Sequence, residues 1–326
     1  MKHRILTGLV ILACAASVGL AGCTPQNAAT GARQTQSQNG AYLSVTDDLG
    51  RQVTVAKKPQ RVVVLSTSLL NFASAVDGDL AGRATVKSSD ASIPEKYQSV
   101  PDVGPVYNVS VEKILELKPD LVLASAVQHE KIIPQLEQNH IPVIVLNNKT
   151  FDDVKRSLKL VGQIYGKEDL AQQKIDELDQ KVDAIAKAVP QDGQSVAIIH
   201  ATPSAVSVEL SHSVAGDVAN ILHLKNVAAD AETKDNTERV PYSMESLVEK
   251  NPDVIFFTSM GPSDKIEKRI HEDVESNPAW GSLKAVQAGR VYILPEHLFL
   301  LNPGLDYPKA VAFMAKKVYP QVQLDE

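Results

Sequence analysis

The sequence predicts an α/β protein made of two Rossmann-like lobes that are joined by a long rigid α-helix. Three observations predict it: buried strands alternate with helical patterns, one block of sequence occurs twice, and a long amphipathic segment separates the two copies. Alternating strands and helices are typical of parallel sheets covered by helices. A block that occurs twice indicates two lobes of similar build. A chain of 326 residues is long enough for both.

The chain begins with the composition of an export signal. Residues 2–4 are basic, an apolar run follows, and the run ends in Leu20-Ala21-Gly22-Cys23. A basic start, a short apolar core and small residues before a cleavage point are typical of a secretory signal peptide, here residues 1–22. Small residues directly before a cysteine resemble a lipobox, which implies that Cys23 is lipidated. The alternative is an ordinary cleavage site with a chance cysteine.

The segment after the signal predicts a tether and a chain without disulfides. Residues 23–40 are rich in Gln, Ala, Thr and Ser, so they cannot offset their ordering entropy by burial. Cys14 lies within the signal, and the mature chain keeps only Cys23. We therefore expect a globular part that is anchored to the membrane by lipid. A formal net charge of −6 without basic clusters argues against nucleic acid as a partner.

Six short apolar runs rich in β-branched residues predict buried parallel strands. The first run ends in Ser-Thr-Ser, which is typical of a strand that leads into a capped helix. The six runs are Arg61–Leu65, Leu121–Ala124, Val143–Leu146, Val196–Ile199, Val254–Phe257 and Val291–Leu294.

The repeated block predicts the same local structure in both lobes. Residues 110–122 (SVEKILELKPDLV) match residues 243–255 (SMESLVEKNPDVI) with a constant offset of 133. In each copy Ser caps a helix, and Glu two residues later interacts favourably with the helix dipole. Pro then ends the helix, and Asp precedes a buried strand.

The segment between the copies predicts the connection. Residues 150–190 keep helical spacing from a capping Thr150 to Pro190, with an interruption near Gly166. We interpret it as one rigid connecting helix between an N-terminal lobe (residues 41–149) and a C-terminal lobe (residues 191–326). The alternative is two ordinary helices within one lobe.

Several motifs together carry a family resemblance. Residues 46–63 (TDDLGRQVTVAKKPQRVV), both repeat blocks, Trp280, Gly289–Tyr292 and Val318–Pro320 contribute to it. In these motifs the chain resembles the iron-siderophore, heme and cobalamin class of ABC-transporter substrate-binding proteins. The resemblance covers essentially the whole mature chain. It implies the helical-backbone periplasmic-binding-protein fold, a ligand clamped between the lobes with a small hinge motion, and an ABC permease with its ATPase as partners. We expect a monomer.

Enzymatic motifs are missing from the sequence. It contains no nucleophile elbow, phosphate-binding loop or dinucleotide fingerprint. His129-Glu130 and His271-Glu272 lack the second His of a zinc-peptidase helix. We therefore expect a binding protein without a catalytic cofactor, and a lipid-anchored hydrolase is the outside alternative.

The chain looks most similar to the heme-binding uptake lipoproteins of Gram-positive bacteria. Those ligate iron with a Met from an N-lobe loop and a His from a C-lobe loop. Tyr107 and Met260 stand at these positions here, and both residue types can ligate heme iron. The resemblance implies heme as the transported ligand, and the two substitutions leave room for a ferric siderophore or cobalamin. A bare metal ion is disfavoured because the chain has no His-rich loop.

Other residues near the predicted strand ends are candidates for ligand contact. His212 is an alternative iron ligand or a helix cap, and His129 is a weaker version of the same hypothesis. Arg239 and Tyr242 directly precede the second repeat helix. An Arg at that position pairs with ligand carboxylates, or with water alone.

The repeat also predicts where the permease docks. Members of the class meet the permease through one acidic residue on each lobe. Glu112 and Glu245 are equivalent in the repeat and are the candidates. The alternative is that both are first-turn helix acids with no partner.

Overall fold

Each lobe is organised around a sheet of short apolar strands that are covered on both faces. The computed structural model describes residues 40–85, 93–231, 237–261, 263–300 and 302–324. Residues Ser37–Glu326 form one compact unit that contains both lobes.

The described part of the N-terminal lobe contains a hairpin, a five-stranded parallel sheet and four α-helices. The hairpin is β1 (Leu43–Thr46) and β2 (Gln52–Val55). The sheet strands are β3 (Val62–Val64), β4 (Gly82–Thr85), β5 (Asp102–Pro105), β6 (Leu121–Ser125) and β7 (Val143–Leu146). The helices are α1 (Thr67–Ala75), α2 (Val111–Glu116), α3 (Ala126–His129) and α4 (Ile133–Gln138). The strand order is β5-β4-β3-β6-β7.

The connection consists of two helices, α5 (Phe151–Tyr165) and α6 (Glu168–Ala188). Gly166 ends α5 in the left-handed conformation, at a φ of 62°. The helices then run antiparallel side by side, since Lys155 Nζ lies 3.1 Å from Asp179 Oδ1. The single helix predicted over residues 150–190 is therefore corrected to a helical hairpin. Only its second arm, α6, is the long helix that leads into the C-terminal lobe.

The C-terminal lobe has a mixed six-stranded sheet. Its strands are β8 (Ser195–Ala201), β9 (Val206–Glu209), β10 (Lys225–Asn226), β11 (Arg239–Pro241), β12 (Val254–Ser259) and β13 (Val291–Ile293). Its helices are α7 (Val214–Ile221), α8 (Met244–Lys250), α9 (Ser263–Ile270), α10 (Lys284–Gln287), α11 (Glu296–Phe299) and α12 (Tyr307–Val318). The order is β11-β9-β8-β12-β13, with β10 beside β8, and β9 runs antiparallel to both of its neighbours.

The six predicted strands are confirmed, and so are the caps of the repeat. Ser110 Oγ accepts a hydrogen bond from the Lys113 amide at 3.2 Å, and Ser243 Oγ accepts one from the Ser246 amide at 3.3 Å. Both serines therefore satisfy a backbone donor that the first helical turn leaves free.

The aspartates of the repeat also share one role. The Asp120 carboxylate accepts hydrogen bonds from the amides of Gln60 and Arg61, just before β3. The Asp253 carboxylate accepts one from the amide of Ser195, the first residue of β8. In each lobe the aspartate that precedes one central strand thus ties down the start of the parallel strand beside it.

One apolar core extends through both lobes. It includes side chains from helices of the N-terminal lobe, the connection and the C-terminal lobe: Phe72, Leu178, Val218 and Met314. All four side chains are buried. Because interiors are close-packed, a shared core resists large relative motion of the lobes.

Candidate ligand-binding cleft

The two lobes face each other across the carboxyl ends of their parallel strands, the usual ligand position in open α/β sheets. Two interlobe pairs mark the ends of this cleft. Tyr107 follows β5. Its phenol interacts electrostatically with the carboxylate of Glu296, which follows β13. Lys149 follows β7, and its Nζ lies 3.4 Å from Oε2 of Glu238, which precedes β11. We call these the Tyr107 end and the Lys149 end.

At the Tyr107 end, the phenol of Tyr107 stands on a tight turn and is 65% exposed. The turn requires Gly104, whose φ is 111° and whose added Cβ would lie 3.1 Å from the Asn108 carbonyl oxygen. Partial desolvation and the negative charge of Glu296 raise the pKa of Tyr107. A hydrogen bond with Gln128 lowers this pKa by less, so the net shift is upward. The phenol is therefore protonated at neutral pH, and a metal ion would have to displace its proton.

Apolar side chains are exposed along the same strand ends. Six large apolar residues of the described chain are exposed, and four of them follow or end the strands that open on the cleft: Tyr107, Val127, Met260 and Ile293. Clustered exposed apolar side chains mark binding sites more often than isolated ones do. Met260 is held by its amide, which donates to the Ala201 carbonyl at 3.1 Å. Ile293 was missed in the sequence because a lone Ile at a strand end looks like a core residue.

His129 has a different position from the one predicted. Its side chain is 1% exposed. Its Nδ1 accepts a hydrogen bond from the Ser125 amide at 3.1 Å, and its Nε2 lies 2.9 Å from the Val106 carbonyl, to which it donates. Burial lowers the pKa of His129 more than these bonds raise it. Because both ring nitrogens are engaged, His129 is corrected from a ligand contact to a residue that positions the loop of Tyr107.

The C-lobe wall contains a buried charge that sequence analysis did not find. Glu209 is 1% exposed. The Thr258 hydroxyl donates to Glu209 Oε1 at 2.5 Å and accepts from His200 Nδ1 at 2.9 Å. Burial raises the pKa of Glu209, but the hydrogen bonds and the charge of Arg239 outweigh burial and lower it. A lone Glu on a short strand carries no sequence signal for such a network.

Arg239 and Tyr242 lie beside this network. Arg239 Nε is 3.6 Å from Glu209 Oε1, and its terminal nitrogen is 4.0 Å from Glu238 Oε2. The guanidinium therefore already neutralises protein carboxylates. Tyr242 is half-buried with its hydroxyl 3.5 Å from Met244 Sδ, and burial raises the pKa of Tyr242 to about 12.

The Lys149 end contains a charged pocket of about 610 Å³ between the lobes. Asp48, Asp153, Arg156 and Glu238 line it, together with His212. Arg156 pairs with Asp48 at 2.8 Å and with Asp153 at 2.7 Å. His212 thus lies at the end opposite Tyr107, and the structure does not bring these two predicted iron ligands together. No group of three or more His, Cys, Asp or Glu within the described ranges has a metal-binding arrangement.

The sequence profile of the periplasmic binding protein family matches residues 62–298. The chain belongs to the periplasmic binding protein family.

The similar proteins indicate which class of periplasmic binding protein this is. The chain is 27% identical to the uncharacterized ABC transporter substrate-binding lipoprotein YvrC of Bacillus subtilis, over 98% of each chain. It is 28% identical to the ferric-anguibactin-binding protein FatB of Vibrio anguillarum, over 89% of this chain and 90% of FatB. It is 25% identical to the high-affinity heme uptake system protein IsdE of Staphylococcus aureus, over 77% of this chain and 84% of IsdE.

The crystal structure of IsdE complexed with heme shares the fold. It matches at a TM-score of 0.69 and 24% identity, over 79% of this chain and 98% of IsdE. This periplasmic binding protein is therefore an ABC-transporter substrate-binding protein of the iron-siderophore and heme class. Such proteins work with a permease and an ATPase, and its relatives are transport proteins rather than enzymes.

The surface of this binding protein exposes both docking candidates. Glu112 lies in the first turn of α2 and Glu245 in the first turn of α8, each exposed. Cys23, the signal peptide 1–22 and the tether up to residue 39 lie outside the described residues. Within the described part, no helix is both long and apolar enough to span a bilayer.

Proposed function

We propose that this protein is the lipid-anchored extracytoplasmic substrate-binding component of an ABC importer. As a monomeric protein it captures heme and delivers it to the permease. The observation that carries the proposal is the exposed phenol of Tyr107 beside exposed apolar side chains at the cleft. A porphyrin buries mostly apolar area, and a ferric ion accepts an oxygen ligand. The relationship to IsdE supports heme as the ligand.

In this proposal each lobe supplies one side of the site. Tyr107 binds the ferric iron as phenolate, and its proton passes to solvent, because the metal charge stabilises the phenolate far more than a hydrogen bond does. Met260 from the C-lobe is the candidate for the opposite axial position. Arg239 is the candidate partner of a propionate, and Tyr242 and His212 take no direct part in iron ligation.

A ferric siderophore is the second candidate, and the Lys149 end favours it. The pocket of about 610 Å³ there is charged and lies at the opposite end of the cleft from Tyr107. A siderophore with polar arms would use both ends without direct iron ligation by protein. The relationship to FatB supports this alternative.

A hemin titration that is monitored by visible spectroscopy distinguishes heme from a ferric siderophore as the ligand. We expect wild type to bind hemin with a ferric spectrum that includes a tyrosinate charge-transfer band. Tyr107→Phe keeps the ring and removes the oxygen, so the band should disappear and hemin should dissociate faster. Tyr42→Phe is the matched control, because its hydroxyl bonds the Gln163 carbonyl at the far end of α5.

Each outcome is informative. If wild type binds no hemin, heme is excluded and the siderophore takes its place. If Tyr107→Phe leaves the spectrum unchanged, heme stands and Tyr107 is not its ligand.

The anchor has its own test. Cys23→Ser should abolish labelling by fatty acid and move the protein from the membrane fraction to the soluble fraction. A mutant that still takes up labelled fatty acid would contradict lipidation at Cys23.

A further inference from the structure

A half-buried carboxylate joins three helices at the Lys149 end of the cleft. Asp217 lies in α7 of the C-terminal lobe. Its Oδ2 accepts a hydrogen bond from the amide of Phe151, the first residue of α5, at 2.9 Å. The same oxygen accepts a hydrogen bond from the hydroxyl of Tyr307, the first residue of α12, at 2.5 Å. One oxygen atom therefore connects the chain that leaves the N-terminal lobe with two helices of the C-terminal lobe.

The bond to Phe151 completes the start of α5. A helix leaves its first backbone donors without partners. Thr150 and Asp153 form a capping box that satisfies two of these donors. Phe151 is not part of that box, and its amide is satisfied by Asp217, which comes from the other lobe. A carboxylate at this position also interacts favourably with the helix dipole.

Tyr307 makes the arrangement rigid. Its side chain is fully buried, and its ring packs against the Phe151 ring at 5.3 Å between centroids. Its hydroxyl also lies 3.3 Å from the Lys149 carbonyl. Both the ring and the hydroxyl of one C-lobe residue thus contact the segment at which the chain leaves the N-terminal lobe.

The other end of the cleft is built differently. Tyr107 and Glu296, the facing residues there, are both exposed. A charge-assisted hydrogen bond between a half-buried carboxylate and a fully buried hydroxyl has a strong preference for one geometry, whereas an exposed pair has little. The two ends of the cleft therefore differ in how firmly they fix the lobes.

We propose that Asp217 is the positioning residue of the hinge. It fixes the lobes at the Lys149 end, so that the cleft opens and closes at the Tyr107 end. The proposal concerns the motion of a binding protein and does not depend on which ligand is bound.

Distances between spin labels in the two lobes test it. Labels go on Gln98→Cys and Ala288→Cys, which are exposed in the N-terminal and C-terminal lobes. The full chain carries Cys14→Ser and Cys23→Ser so that only the introduced cysteines react. Tyr307→Phe removes one hydroxyl and keeps the ring contact, and Asp217→Asn removes the charge. Tyr97→Phe is the control, because this buried hydroxyl donates to the Gly78 carbonyl within the N-terminal lobe.

We expect a narrow distance distribution for wild type and Tyr97→Phe, and a clearly broader one for Tyr307→Phe and Asp217→Asn. Tyr307→Phe should also release a bound probe such as hemin about tenfold faster, with the association rate unchanged. If Tyr307→Phe gives the same distribution as Tyr97→Phe, the proposal is overturned. The distances need no ligand, so failure to bind hemin counts only against the heme proposal.

Discussion

The two lobes share one frame but differ at the ends of their central strands. In the N-terminal lobe, β6 ends in Ser125, whose hydroxyl is buried without a hydrogen-bond partner. The equivalent position in β12, 133 residues later, is Thr258, which pairs in register with His200 and donates to buried Glu209. Ser66, which follows β3 beside Ser125, has only a long contact of 3.5 Å with Ser68.

This difference distinguishes the residues that both lobes need for folding from those that line the cleft. The repeated block carries what both lobes need to fold, namely a capped helix and an aspartate that ties the neighbouring strand. The strand ends lie just outside the block and are free to differ. The paired strand ends of the N-terminal lobe therefore carry small buried hydroxyls, whereas those of the C-terminal lobe belong to a buried charged network.

The largest effect should come from breaking that network at Arg239. Arg239→Met leaves Glu209 buried without its counter-charge and should lower the free energy of unfolding by about 3 kcal/mol at pH 7. Urea denaturation measures it. Lys309→Met, a surface change that removes an exposed ion pair with Asp306, is the control and should cost well under 1 kcal/mol.

The same variant has a predicted pH dependence. The folded-state pKa of Glu209 is lowered from 4.5, so its stabilisation of wild type is present above about pH 4.5 and is lost as pH falls. The stability difference between wild type and Arg239→Met should therefore shrink below that pH. A difference that stays constant as the pH is lowered from 7 to about 2 would contradict an ionised Glu209.

Matched substitutions at the two strand ends sharpen the comparison. Thr258→Val removes the hydroxyl that donates to Glu209 and should cost about 2 kcal/mol, because this bond is to a buried charged group. Ser125→Ala removes a hydroxyl without a partner and should be neutral or slightly stabilising. Thermal unfolding of both variants measures this. Equal effects would mean that the two strand ends do not differ energetically.

The two aspartates of the repeat, Asp120 and Asp253, should differ less in how much they stabilise the fold. Asp253 should stabilise the fold more than Asp120 does, because Asp253 also forms an ion pair with Lys284 at 2.8 Å. Burial raises the pKa of Asp253, but the bonds from Lys284 and Ser195 outweigh it and lower the pKa to about 2. Asp253→Asn should cost about 1.5 kcal/mol and Asp120→Asn about 1 kcal/mol in urea denaturation.

Acid titration checks the sign for Asp253. A lowered folded-state pKa means that its stabilisation is present above the ordinary value of 3.8 and is lost between about pH 4 and pH 2. Asp253→Asn should lose this part of the acid transition. If Asp120→Asn proves the more destabilising of the two, the assignment of strength to the C-lobe is wrong.

The smallest effect on stability belongs to the exposed docking candidates. Glu112→Lys and Glu245→Lys should each change the free energy of unfolding by a few tenths of a kcal/mol, through the helix dipole alone. Ligand binding in solution should persist while import by intact cells falls. Glu249→Lys, in the last turn of the same helix as Glu245, is the control. Unchanged import in both variants would leave Glu112 and Glu245 as first-turn helix acids.

The sequence by itself determined six of the sheet strands and the capped helices of the repeat. These features are local: a β-branched run, a serine cap and an aspartate before a strand act within a few residues of each other. The same local rules predicted the interruption at Gly166. They did not predict β4, β9 or β11, whose three or four residues, such as Gly-Arg-Ala-Thr in β4, form strands only because neighbouring strands supply partners.

Only the tertiary structure decided what the polar side chains do. His129 and Glu209 look alike in sequence as single polar residues near a strand, yet one ties two loops together and the other carries a buried charge. Asp217 meets Phe151 across 66 positions and Tyr307 across 90. The free energy of a buried polar group depends on whether a partner satisfies it, and partners so distant in sequence come within reach only when the tertiary structure has formed.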